Sequence, residues 1–333
     1  MNHIAIVGCG FWGPNLIRNF SKIEGIKLTA CDIREERLQN IRTSYSSVNT
    51  TRDFNEILSC DEIDVVVIAT PATRHFEMAK IALENNKHVF VEKPLAITTK
   101  EVQELIRIAK ERHKILMVGH TFEYNPAVIK LKEYIDHGDV GSVYYIYSSR
   151  LNLGQVREDI NAMWNLAPHD ISILIYLLGE TPRRVSAVGK AFIQDKIEDV
   201  VFMTLEFASG VIAYVHVSWL SPSKVREMTI VGDKKMIVYD DIDNEAKLKI
   251  YDKGISKVED AYGEYFLKLR SGDIYIPKID LNEPLKIEIT HFIECIRKSI
   301  SPKTDGENGL RVVKVLEAAQ TSLKNQGAFV PIE

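Results

Sequence analysis

The chain has 333 residues, which at about 150 residues per domain implies two domains. Hydrophobic residues make up 45% and charged residues 26%, a globular composition that excludes disorder, collagen and a long coiled coil. The 42 Lys+Arg nearly balance 46 Asp+Glu. The net charge of −4 gives no basic face of the kind a nucleic acid needs, though a local basic pocket for an anionic substrate is compatible with it.

In chain order, the first 120 residues alternate short β-branched apolar runs with amphipathic stretches. Strands are expected at 4–7, 26–31, 65–69, 88–91 and 115–118, each apolar almost throughout, as strands buried on both faces are. Helices are expected at 15–22, 34–43, 75–85 and 98–111, the last opened by a Thr98/Glu101 capping box. This alternation implies a parallel sheet with helices on both faces. Beyond it come a helix at 126–137 and strands at 143–149, 184–188, 200–206, 211–217 and 225–231, joined by short turns such as Ala208-Ser209-Gly210. A helix at 168–178 interrupts them, and helices at 284–299 and 309–325 close the chain. The stretch 252–282 shows no clear pattern and reads as an excursion.

The fold class is thus an α/β Rossmann domain at 1–120 followed by an α+β domain at 121–333. The second domain carries an open, mostly antiparallel sheet, binds substrate and mediates self-association; the last helices can pack back on the first domain. Strands 200–207 and 211–219 are apolar on both faces and need two covers. Helices supply one, and a second subunit is the expected other.

Cys9, Cys31, Cys60 and Cys295 lie far apart without metal-ligand spacing, so reduced thiols and no metal site are expected. No apolar run approaches the roughly 20 residues that span a bilayer. The N-terminus lacks a signal-peptide pattern, so the expectation is an unprocessed cytoplasmic protein without a membrane partner.

Gly8-Cys9-Gly10-Phe11-Trp12-Gly13 is a G-x-G-x-x-G between an expected strand and an expected helix, the context a dinucleotide site requires. Gly8 permits the turn, Gly10 lets backbone approach a pyrophosphate, and Gly13 lets helix and strand pack. The helix start, with Phe11 and Trp12, faces the phosphates. Asp32 follows Gly13 by 19 residues, the spacing of a ribose-binding acid. Its charge repels a 2′-phosphate and favours NAD over NADP. Arg34 pulls the other way, and Asp32 could equally cap the next helix.

Thr70, Pro71 and His75 follow the end of one strand, and Glu92-Lys93-Pro94 the end of the next, where ligands sit in such sheets. A lysine there would stand beside the nicotinamide, whose positive charge favours the neutral amine. Lys93 could then take the proton of a substrate hydroxyl. A solvated lysine before a proline turn would give the same pattern. The helix expected from Pro168 puts His169 near its positive end, which favours a neutral, proton-accepting imidazole. A histidine satisfied between domains is the competing reading, and Asp170 either orients His169 or caps the helix. Arg157, in the irregular stretch before it, could pair with a phosphate or carboxylate of substrate.

Together Gly8 to Gly13, Asp32, Ala69-Thr70-Pro71, Glu92-Lys93-Pro94, Val118-Gly119-His120, Tyr124-Asn125-Pro126, Trp164 through Asp170 and Thr304-Asp305-Gly306-Glu307 resemble the Gfo/Idh/MocA oxidoreductase family over nearly the whole chain. The resemblance implies oxidation or reduction of a sugar or cyclitol hydroxyl with a nicotinamide cofactor, in dimers or tetramers built through the open sheet. It makes Lys93 and His169 catalytic and Asn165 and Tyr124 candidate substrate contacts beside Arg157, with substrate between the Lys93 loop and the His169 helix. Asn165 stands where many members carry an aspartate. An amide can hold a hydroxyl but is no base, so proton transfer falls to Lys93 and His169. Glu123 stands near the place of an arginine common in the family. The Trp164–Asp170 and Thr304–Glu307 stretches look most like members acting on nucleotide-linked sugars. They suggest oxidation at C3 of UDP-N-acetylglucosamine or its uronate for surface-polysaccharide synthesis. A free-sugar or inositol dehydrogenase is the alternative within enzymes; a non-catalytic NAD-binding regulator is the alternative outside them.

Overall fold

The computed structural model describes residues 3–154, 156–259 and 265–333. They form two compact units: Met1–Tyr124 with Glu283–Glu317, and Asn125–Asn282 with Ala318–Glu333. The first unit therefore takes back a late stretch of chain that lies far from it in sequence.

Unit 1 runs β1 (His3–Val7), α1 (Gly13–Phe20), β2 (Lys27–Cys31), α2 (Glu35–Ser44), β3 (Asn49–Thr51), α3 (Phe54–Ser59), β4 (Val65–Ile68), α4 (His75–Glu84), β5 (His88–Glu92), α5 (Thr99–Glu111) and β6 (Leu116–Gly119). The six strands are all parallel, in the order β3-β2-β1-β4-β5-β6. Ile4, Ala5, Ile6 and Val65 through Ile68 are wholly buried, as strands covered on both faces must be. The order reverses at β1, which opens a ligand crevice outside the carboxyl ends of β1 and β4. The Thr98 capping box is present at α5, the Thr98 hydroxyl accepting from Glu101 N–H and the Glu101 carboxylate from Thr98 N–H. β3 and α3 carry no sequence signal: Asn-Thr-Thr is a polar edge strand of three residues, and a six-residue helix is too short for a period.

Unit 2 holds α6 (Pro126–Asp136), β7 (Val143–Leu151), α7 (Ala162–Leu178), β8 (Arg184–Lys190), β9 (Val200–Glu206), β10 (Ile212–Ser218), β11 (Val225–Gly232), β12 (Met236–Asp240), β13 (Leu248–Glu259) and β14 (Tyr265–Tyr275). The late helices α8 (Pro284–Lys298) and α9 (Gly306–Lys324) follow, and β15 (Val330–Pro331) ends the chain. The nine strands lie in the order β14-β13-β12-β11-β7-β10-β9-β8-β15, antiparallel except for β7 beside β10.

The stretch 252–282 is thus no excursion: most of it is the β13–β14 pair, with 260–264 outside the described residues. A register shift between Tyr251 and Lys253 breaks the alternation that would have marked β13. One face of the sheet, with Ile146, Val201, Met203, Val215 and Ile237, is buried, and α7 packs against β7, β9 and β10. The other face exposes Tyr145, Tyr147, Val188, Ile212 and Tyr214. No helix among the described residues is long and apolar enough to cross a membrane.

Candidate active site

The glycine-rich turn follows β1. Gly8 has φ of +97°, and a Cβ there would lie 2.6 Å from the Ala69 carbonyl oxygen, so only glycine fits between β1 and the end of β4. A Cβ on Gly13 would lie 2.1 Å from the Gly8 oxygen, which enforces the close packing of α1. Gly10 differs: a Cβ there would meet only the Arg37 guanidinium, at 3.5 Å. The protein itself does not require glycine at 10, which suits a position kept bare for the approach of a phosphate. Phe11 is exposed, and Trp12 precedes α1 without a side-chain cap. The first amides of α1 thus face the turn, a cradle for an anion.

Asp32 is buried just past β2. Its Oδ1 accepts Arg34 N–H at 2.9 Å; its Oδ2 accepts Cys9 N–H at 2.8 Å and Arg37 Nη1 at 3.1 Å. The carboxylate thereby ties the glycine turn to the start of α2, and one of its four lone pairs is left for a ribose hydroxyl. Arg34, an exposed residue, precedes α2 and reaches Asp32 through its backbone; the guanidinium on Asp32 is that of Arg37. Arg37 was not expected from sequence. Its signal was its place one turn into α2 on the Asp32 side.

Beyond β4, the Thr70 hydroxyl oxygen is buried without a hydrogen-bond partner. His75 is buried, its ring nitrogens 2.7 Å from the Pro94 carbonyl and 2.9 Å from the Thr70 carbonyl. It is a clamp between the loops after β4 and β5, both of whose acceptors are backbone, and Pro71 lies within the clamped span. Glu92 ends β5, and the Lys93–Pro94 peptide that follows is cis. Glu92 Oε1 is buried without a partner, and burial pushes this carboxyl up to about 7 against the opposing pull of Lys93. The bare Gly10, the uncapped α1 and the unpartnered Thr70 hydroxyl oxygen are the features a dinucleotide would satisfy, so the residues present fit NAD.

Tyr124 departs from its expected role. It is buried in the unit 1 core, its hydroxyl 3.1 Å from Thr304 Oγ1 and its ring under the Lys303 ammonium, so it offers no group to substrate. Burial holds its phenol well above the ordinary range. Glu123 beside it is also buried, accepting Asn308 Nδ2 at 3.0 Å, and burial raises it to about 7. The Thr304–Glu307 stretch is structural as well. Thr304 exchanges hydrogen bonds with Val118, and Asp305 accepts Asn308 N–H at the start of α9.

In unit 2, α7 starts at Ala162, capped by Asn161, whose side chain accepts Trp164 N–H. Pro168 therefore lies inside the helix and His169 near its middle. The expectation that Pro168 opens the helix and that its macrodipole keeps His169 neutral is corrected, because the dipole acts within the first and last turns. His169 and Asn165, four residues apart, share a helix face and are both partly exposed. Trp219 Nε1 donates to Asn165 Oδ1 at 3.3 Å. Asp170 neither caps α7 nor turns to His169 in its direct bonds. It receives Arg150 Nε at 2.7 Å, Arg150 Nη2 at 3.2 Å and Ser148 Oγ at 2.7 Å, a buried ion pair that pins α7 to β7. Arg157 makes a bidentate pair with Asp159, both bonds 2.8 Å, so its guanidinium is already engaged.

A glycine turn, an acid at the end of β2 and a lysine at the end of β5 define a nicotinamide-dependent oxidoreductase with an NAD-binding Rossmann domain. Residues 2–120 match the family model described as "Oxidoreductase family, NAD-binding Rossmann fold", and residues 128–238 match the GFO/IDH/MocA C-terminal domain. The chain belongs to the Gfo/Idh/MocA oxidoreductase family. It is 31% identical to the UDP-N-acetylglucosamine 3-dehydrogenase of Acidithiobacillus ferrooxidans over 76% of each chain. It is 23% identical to the myo-inositol 2-dehydrogenase of Thermotoga maritima over 97% of this chain and 96% of that one. A levoglucosan dehydrogenase solved with NADH and levoglucosan superposes with a TM-score of 0.82 over 99% of both chains at 21% identity, a likeness of fold.

Proposed function

We propose that this oxidoreductase is an NAD-dependent dehydrogenase that oxidises C3 of a nucleotide-linked sugar, UDP-N-acetylglucosamine or its uronate. The observation that carries the substrate is the 31% identity to a UDP-N-acetylglucosamine 3-dehydrogenase over three quarters of the chain. Bound NAD supplies the hydride acceptor. Lys93, on the loop after β5, takes the hydroxyl proton as the carbon-bound hydrogen leaves. His169, on α7 of unit 2, is the second proton-transfer residue that the family resemblance implies. Asn165, on the same face of α7, holds a neighbouring hydroxyl with its amide, which cannot itself act as a base. The ketone formed suits a following amination in the building of surface polysaccharide. The inositol dehydrogenase relative favours a second reading, a free polyol substrate. The exposed tyrosine and aliphatic face of the unit 2 sheet supports a homodimer or homotetramer closed through that face.

The test is NADH absorbance with NAD and a panel of UDP-N-acetylglucosamine, its uronate, free hexoses and inositols. Reduction confined to a nucleotide sugar and lost in Lys93→Ala is the expected result. Turnover of a free polyol with no gain from the nucleotide would replace the substrate. NAD binding without turnover of any panel member, even with a coupled aminotransferase drawing off the ketone, would favour a regulator.

A further inference from the structure

Behind the Lys93 loop, unit 1 buries more acid than its function so far uses. Phe90 on β5 and Phe292 on α8 meet edge to face with ring centroids 5.5 Å apart. Glu92 lies two residues beyond Phe90, on the same side of the strand and about 6.6 Å along it. Glu288 lies four residues before Phe292, on the same face of α8 and about 6 Å along it. The two steps match. Their common direction is fixed at the other end, where Glu92 is in register with Gly119 of β6 and Thr121, two residues on, donates to Glu288 Oε2 at 2.7 Å. The two carboxyls therefore lie near one another, and the charge of Glu92 acts on Glu288.

Both carboxyls are buried, and each keeps one oxygen, Glu92 Oε1 and Glu288 Oε1, without a hydrogen-bond partner. Burial raises both carboxyls, the charge of Glu92 raises Glu288 further, and Glu92 is raised against the pulls of Lys93 and Trp12. The other charged groups around them are Lys93 beside Glu92 and Glu123 beside Glu288. His120 is close to Lys93 and Arg311, and burial holds its imidazole neutral, down to about 4. Lys303 and Arg311 act on Glu123. Two anions so placed are not stable together, and a single proton relieves both.

We propose that Glu288 is a positioning residue that shares one proton with Glu92 and so keeps the carboxyl next to Lys93 uncharged while the lysine serves as a neutral amine. A carboxylate at Glu92 would hold Lys93 as ammonium and remove the base from the reaction. The proposal rests on the reading of Lys93 as that base. It gives α8, far along the chain, a part in setting the pH range of the dehydrogenase.

Opposite shifts test it. Glu288→Gln removes the like charge, so Glu92 ionises more readily. The acidic limb of kcat/KM then moves up by about one unit, a tenfold loss below the limb. Thr121→Val has the same sign, because losing the donor to Glu288 moves the proton from Glu92 to Glu288; it serves if the Gln variant fails to fold. Glu92→Gln moves the limb down. Infrared difference spectra of the cofactor-free protein across pH read the shared proton without any turnover. The carbonyl band of a protonated acid should persist to higher pH in the wild type than in Glu288→Gln, with Glu123→Gln as the control for its buried neighbour. A band unaffected by Glu288→Gln, or limb shifts of the same sign in Glu288→Gln and Glu92→Gln, would overturn the proposal. Full turnover in Lys93→Ala would remove its link to catalysis, with the infrared result still deciding whether the acids share a proton.

Discussion

The two sheets of this molecule bury their residues differently, and the difference separates what each contributes. The parallel sheet of unit 1 is apolar on both faces and puts its chemistry at its edge, in the loops after β1, β2, β4 and β5. The mostly antiparallel sheet of unit 2 packs one face under α7 and exposes the other. Function in unit 1 is therefore set by where strands end. In unit 2 the residues proposed for function stand on a helix, α7, laid on the buried face.

Changes of decreasing expected effect sharpen the contrast. At the edge of the unit 1 sheet, Lys93→Ala should lower kcat by about 10²–10⁴-fold, the range for a lost general base, while thermal unfolding stays close to the wild type. A steep fall in melting temperature instead would make Lys93 a structural residue. On the buried face of the unit 2 sheet, Arg150→Met leaves Asp170 charged, buried and unpaired, with a cost of about 3–5 kcal/mol in chemical denaturation. Adding Asp170→Leu should return much of it, since two apolar residues need no partner. A double variant as unstable as the sum of the singles would show that the pair does more than neutralise itself.

Glu123→Gln comes next, and its sign follows from linkage. The carboxyl is pushed from 4.5 unfolded to about 7 folded, so the native state binds the extra proton between these values, and stability falls as pH rises through them. The Gln variant lacks this loss. Relative to the wild type it should gain up to about 3 kcal/mol between acid pH and neutrality. His88 and His120, both held down to about 4 by burial, contribute the opposite slope, His88 equally in both proteins and His120, 3.9 Å from Glu123, in a way the substitution also touches. Denaturation midpoints measured at several pH values read the difference directly, and a pH-independent gap would mean that Glu123 is ionised throughout.

Sequence made the edge of unit 1 legible because its demands are local. Gly13 is a glycine for want of space beside Gly8, Gly8 has a positive φ in the turn, and a lysine at a strand end is visible as a pattern. Arg37, Glu288 and the Arg150–Asp170 pair were not legible. Each acts through a contact between elements, and no spacing in the chain encodes which residue α8 or β7 will present. Pro168 misled for a related reason: a proline is expected at a helix start, and the signal that moved the start back to Ala162 was the Asn161 cap, seven residues before that proline. Tyr124 misled because a motif position says nothing about which way a side chain turns.

The smallest expected effect on stability tests the open face. Met203 and Phe202 are neighbours on β9 with opposite directions: Met203 is wholly buried, and Phe202 stacks on His216 and Tyr214 of the open side. Within a single chain, Tyr214→Ser should change stability by no more than about 0.5 kcal/mol, as an exposed position does, whereas Met203→Ser should cost several-fold more. If the open face is where copies of the chain meet, Tyr214→Ser together with Tyr147→Ser removes aromatic anchors from its centre. Sedimentation velocity should then show a smaller particle at the same protein concentration, with kcat per chain the quantity to follow beside it. A particle unchanged in mass would mean that the exposed tyrosines are ordinary surface, and that the two sheets differ in burial without differing in partnership.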